Sequence, residues 1–184
     1  DDLEHILADE FYLPYANVPS FIRMQQAARS LLRLYAERHA AELHRLWATE
    51  RPFELHLPGA IVTGRADVVL DLEENRPGAL ALVDYKSAND PRRAERYELQ
   101  LRVYAAAGRA EGLTIAAAWL HEQREGRRHV VDVGDKPVDG AVRLVADRTA
   151  AIRARRFDAK PTPEKCSGCQ YVRLCMHREG GIPA

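Results

Sequence analysis

The chain has 184 residues, 46% of them hydrophobic and 29% charged, a composition that suits one folded domain with a sizeable core. Lysine plus arginine (27) balances aspartate plus glutamate (27), so no global field draws the protein onto a polyanion, and any nucleic-acid binding must use local patches. No stretch approaches the roughly 18 uninterrupted apolar residues of a membrane span, so a membrane role has no support in the sequence. The acidic start, Asp1-Asp2-Leu3-Glu4, lacks both Met and a signal peptide's apolar region and reads as a fragment of a longer chain.

In chain order, Phe21, Ile22, Met24, Ala27, Ala28, Leu31, Leu32, Leu34 and Tyr35 recur at helical spacing from Pro19-Ser20 onward. The pattern runs on through Leu43, Leu46 and Trp47, predicting one long amphipathic helix, or two in line, that ends before Arg51-Pro52. The period then changes. Phe53–Leu57 alternates, Ile61–Leu70 is β-rich, and Ala79–Tyr85 is a short apolar run, predicting three successive strands in a meander, the last two joined by a turn at Glu73–Gly78. A helix from about Arg93 to Gly108 follows. Next come a strand at Leu113–His121, a turn at Glu125-Gly126, a strand at His129–Val133 and a helix from about Val138 to Phe157. The expected organisation is a helical part at 1–52, a core at 53–158 and a Pro-, Gly- and Cys-rich segment at 159–184.

Chemistry concentrates at two strand ends. Residues i and i+2 of a strand share a face, so Asp84 and Lys86 point the same way, with Tyr85 between them. Asp67 ends the β-rich run Gly64-Arg65-Ala66-Asp67 on the neighbouring predicted strand. Carboxylate and carbonyl oxygens there suit Mg²⁺ or Mn²⁺, and burying such charges without a cation is costly.

The order Gly64-Arg65-Ala66-Asp67, Leu82-Val83-Asp84-Tyr85-Lys86-Ser87, and Gln100-Leu101-Arg102-Val103-Tyr104-Ala105 resembles the PD-(D/E)xK nuclease superfamily, and within it the RecB-like branch. The resemblance implies an α/β fold of restriction-endonuclease type, a central mixed sheet flanked by helices. It implies Mg²⁺- or Mn²⁺-dependent DNA cleavage, with Asp67, Asp84 and the Tyr85 carbonyl as metal ligands and Lys86 as the catalytic lysine. Gln100 and Tyr104, four apart on one helix face, would help hold the active site and the nucleic acid. The branch also carries a metal-shell histidine on an upstream helix. His5, His39 and His44 lack its flanking residues and read as surface histidines, which places the true one upstream of this sequence.

Cys166, Cys169 and Cys175 are the only cysteines, in a C-x₂-C-x₅-C pattern that suits a metal in a reducing, cytoplasmic setting better than disulfides. By the same resemblance they belong to a [4Fe–4S] cluster whose fourth cysteine lies upstream; zinc with His177 as fourth ligand, or free thiols, are the alternatives. Arg92, Arg93, Arg96 and Arg102, on or beside the helix of Gln100, are candidate contacts to the DNA backbone, although such runs are usually solvated faces. The long helical entry and Phe11–Tyr15 resemble nuclease domains fused to UvrD-type helicase motors, so the expected partners are DNA and a helicase motor in the same parent chain. The rival expectations are a free-standing exonuclease of CRISPR-adaptation type and a catalytically silent DNA-binding module.

Overall fold

The computed structural model describes residues 2–72, 78–87 and 93–178. The chain divides into two compact units, Asp1–Val145 and Ala146–Ala184. The first holds a five-stranded mixed sheet in the order β1-β2-β3-β4-β5. Two helices precede it, α1 (Asp2–Glu10) and α2 (Val18–His39), with a 3-10 turn at Ala40–Arg45. Asn17 caps α2 by accepting from the Ser20 N–H at 2.9 Å, and Pro19 occupies the first turn, where its missing N–H costs nothing.

The helical periodicity does not carry as far as Trp47. Leu46 and Trp47 already belong to β1 (Leu46–Leu57), which pairs antiparallel with β2 (Ala60–Asp71) from Leu46↔Leu70 to Leu57↔Ala60. The continuous backbone ladder outweighs a few residues of helical spacing. β3 (Ala79–Lys86) pairs antiparallel with β2 and parallel with β4 (Thr114–Glu122). β5 (Arg127–Val130) closes the sheet beside β4; it starts earlier and stops sooner than His129–Val133, although the Val131 N–H still reaches the Ala118 carbonyl at 2.9 Å. The crossover between the parallel strands contains α3 (Ala94–Ala110); the chain leaves it through Gly112, where φ of +88° suits a residue without a Cβ.

β3 sits centrally, and its first six residues are all buried, which explains why its sequence is a continuous apolar run. Leu80 and Leu82 join Phe53, Val69, Leu101, Ala105, Val138 and Ala141 in the main core on the α3 side; Ala81 and Val83 pack with Leu70 and Trp119 in a smaller cluster. α4 spans Asp135–Arg153 and α5 Pro163–Ser167. The second unit's chain from α5 to Arg178 is built of short turns. Among the described residues no helix is long and apolar enough to cross a membrane.

Candidate active site

Asp67 does not end its strand, as the sequence suggested: β2 runs on to Asp71 because β1 pairs with it there, and it is β3 that ends opposite Asp67, the β2–β3 ladder stopping at Val68↔Val83. Just beyond that pair, the Tyr85 N–H donates to the Asp67 carboxylate at 2.7 Å. That bond orients Asp67 at the end of β3 that carries Asp84 and Lys86. Asp84 is 1% exposed, and its carboxylate pairs with the Lys86 ammonium. Burial pushes the Asp84 carboxyl above the ordinary carboxylate range; Lys86 opposes the shift and the nearby Asp67 charge adds to it.

Gln100 and Tyr104 brace this arrangement. The Tyr104 hydroxyl accepts from the Gln100 side-chain amide at 2.9 Å and from the Arg65 backbone N–H at 3.1 Å, so α3 grips β2 two residues before Asp67. The ring lies so close to the strand that a Cβ at residue 64 would fall 2.2 Å from Tyr104 Cε1. Gly64 is therefore a steric requirement of the tyrosine's position. From the residues alone Gln100 reads as a surface side chain and Tyr104 as a core aromatic. Tyr104 is indeed buried, but its hydroxyl links helix to strand.

The donor set suits a hard divalent cation. Two carboxylates and one ammonium meet in a partly dehydrated place, a net negative charge that a cation would relieve. Asp67, Asp84 and the backbone carbonyl between Asp84 and Lys86 are the groups available to hold it. Among the described residues no three His, Cys, Asp or Glu side chains are gathered as a metal site; a hard cation held by one or two carboxylates keeps water and substrate oxygens as its other ligands.

The histidines fall in three different places. His5 is exposed beside Asp9, and His44 is exposed. His39, expected on the surface, is instead 13% exposed, its ring centroid 4.9 Å from that of His121. His121, Tyr35 and Tyr85 complete an aromatic cluster in which the Tyr85 hydroxyl donates to that of Tyr35 at 2.8 Å. Burial lowers the His121 pKa to about 4, with His39 adding to the effect. His121 gave no local signal in the sequence. Glu122 and Tyr97 were missed as well; the strand register, which a sequence does not display, sets Glu122 beside Lys86.

Of the candidate DNA contacts, Arg93 and Arg96 are exposed, whereas Arg102 bonds the Asp132 carbonyl at 3.0 Å and Glu98 at 2.8 Å. Arg92 lies outside the described residues. Cys166, Cys169 and Cys175 are half-exposed and free. They are held by local turns such as Cys169 N–H to the Cys166 carbonyl at 3.2 Å, and among the described residues they are not gathered as a metal site. A five-residue helix and turn bonds are too little structure to converge three side chains.

No curated protein matches the sequence. Among solved structures, that of a "Putative exonuclease" from Eubacterium rectale superposes with a TM-score of 0.57 at 18% identity, covering 98% of this chain and 70% of the other. The structure of SSO0001 gives a TM-score of 0.46 at 16% identity, covering 88% and 72%. The model of the PD-(D/E)XK nuclease superfamily matches residues 4–176, taking in Asp67, Asp84, Lys86 and α3. The chain belongs to the PD-(D/E)XK nuclease superfamily.

Proposed function

We propose that this chain is a RecB-like nuclease module that hydrolyses DNA phosphodiester bonds with Mg²⁺ or Mn²⁺. The observation that carries the reading is the 2.7 Å bond from the Tyr85 N–H to Asp67, which sets one carboxylate beside the Asp84–Lys86 pair. Asp67, Asp84 and the Tyr85 carbonyl would hold the ion, which when bound supplies Lewis-acid polarisation of the phosphate and a more acidic water. Lys86 orients the attacking water and faces the charge that develops on the phosphate oxygens. Tyr104 and Gln100 keep the Gly64–Asp67 segment from shifting, so that little reorganisation is left for the reaction itself. Arg93 and Arg96 are exposed and suit phosphate contacts, which predicts salt-dependent, sequence-independent binding.

The RecB-like assignment draws on the Gly64–Asp67, Asp84–Ser87 and Gln100–Tyr104 motifs. Action at DNA ends is supported by the name of the Eubacterium rectale protein alone. Fusion to a helicase motor and a cytoplasmic address rest on the sequence resemblance. The cysteine segment is read as a staple, a [4Fe–4S] cluster completed by a cysteine outside this sequence, with zinc as the competing metal; iron and zinc analysis of the anaerobically purified protein separates the two.

The deciding experiment offers end-labelled linear single- and double-stranded DNA with Mn²⁺ to the wild type, Asp84→Ala and Lys86→Ala. Cleavage by the wild type alone is expected, and the product ladder gives direction and mode. DNA binding without cleavage would favour the silent-module reading, and equal cleavage by all three proteins would exclude these residues.

A further inference from the structure

Lys86 has surroundings beyond its pair with Asp84. Its Nζ lies 4.7 Å from the centroid of the Tyr97 ring, on the first turn of α3 and within cation–π range. On its other side, the β3–β4 register sets Lys86 level with Glu122. Glu122 is 8% exposed, with its Oε2 3.6 Å from His129 Nε2. Lys86, Tyr97, Glu98, Glu122 and His129 line one small pocket of about 150 Å³. Glu98 is already engaged by Arg102 at 2.8 Å. Two carboxylates and an aromatic face make this space hostile to a phosphate and hospitable to an ammonium.

The pair with Asp84 creates a conflict. The carboxylate that holds Lys86 is one that a divalent ion would claim, and a lysine secured by Asp84 alone would then be released into a flexible four-carbon search.

We infer that Tyr97 and Glu122 are positioning residues that hold the Lys86 ammonium at the catalytic face independently of Asp84, Tyr97 through its ring and Glu122 through its charge. The inference rests on Lys86 being the catalytic lysine, but the holding itself does not require catalysis. Lys86 therefore keeps one position whether or not Asp84 is occupied, and the pocket's walls on α3 and β4 determine that position.

The test has one arm that needs neither metal nor turnover. In metal-free protein, reductive methylation of Lys86 is followed by peptide mass spectrometry in an Asp84→Asn background. Lys86 stays protected in that variant, and adding Tyr97→Leu or Glu122→Gln speeds its modification about tenfold, a thermal melt verifying that each variant is folded. Fast modification in Asp84→Asn alone, or no change on adding either substitution, would overturn the inference. In the second arm, with Mn²⁺ and linear DNA, Tyr97→Leu lowers kcat about tenfold at unchanged KM and Tyr97→Phe recovers most of the loss. Equal losses for the two variants would remove the ring from the account. Protection of Lys86 in a protein that cleaves nothing would remove the nuclease reading and leave the cradle standing.

Discussion

Two parts of this chain carry side chains suited to metals, and they are built in opposite ways. At the end of β3 and the facing stretch of β2 the reactive groups are tied to the backbone, to one another or to a helix: Asp67 by the Tyr85 N–H, Asp84 by Lys86, the Arg65 peptide by Tyr104, and Tyr104 by Gln100. Around Cys166, Cys169 and Cys175 the side chains are half-exposed and the chain is held by backbone bonds between residues three or four apart. The contrast teaches that a packed sheet can hold its ligands ready before any ion arrives, whereas a short turn-rich segment must draw its order from what it binds.

The comparison is broken most severely by removing charge at the end of β3. Asp84→Asn is expected to lower the DNA cleavage rate by about a thousandfold or more, the scale on which a group that stabilises a transition state acts. Because burial disfavours the Asp84 carboxylate, its melting temperature should stay level or rise; a protein that loses both activity and several degrees would show that Asp84 holds the fold.

The next effect is one of acidity. Unfolded, His121 takes a proton near its ordinary value of 6.5; folded, it resists until about pH 4. Its folded pKa is depressed, so its contribution is intact above pH 6.5 and drains away as the pH falls to 4, by about 3 kcal/mol in all. Urea unfolding of the wild type and His121→Leu at pH 7 and pH 4.5 checks this, since the variant should lose less stability across the interval.

Gly64→Ala is expected to cost about 2 kcal/mol as the strand backs away from the Tyr104 ring, and to reduce cleavage as Asp67 moves with it. A variant as stable and active as the wild type would mean that the ring yields instead. Tyr104→Phe should cost about 1–2 kcal/mol by denaturant unfolding, because it strips the acceptor from two donors. At the small end, Cys166→Ser, Cys169→Ser or Cys175→Ser in metal-free protein should stay within about 0.5 kcal/mol of the wild type. A larger loss would show that the segment is more firmly packed than its turns indicate.

Much of the geometry around Asp84 was legible because it is local. The i, i+2 relation of Asp84 and Lys86 and the four-residue step from Gln100 to Tyr104 follow from strand and helix geometry alone, and the apolar run at Ala79–Val83 announced a strand, though not its central place in the sheet. What escaped depends on partners distant in sequence. Leu46 and Trp47 fit a helical pattern until β2 is there to pair with them. His39 looks like one more polar residue on a charged helix until His121, more than eighty residues on, meets its ring. Glu122 and Tyr97 gain meaning only from the register and crossing that bring β4 and α3 to Lys86.

The contact between Gly64 and Tyr104 has an evolutionary corollary. With no room for even a methyl group between them, the two positions are thermodynamically coupled: enlarging residue 64 is harmful while the tyrosine stands, and shrinking residue 104 leaves a void that the larger neighbour could fill. A double change such as Gly64→Ala with Tyr104→Leu should therefore cost less than the sum of its parts, so drift at either site has to pass through the other.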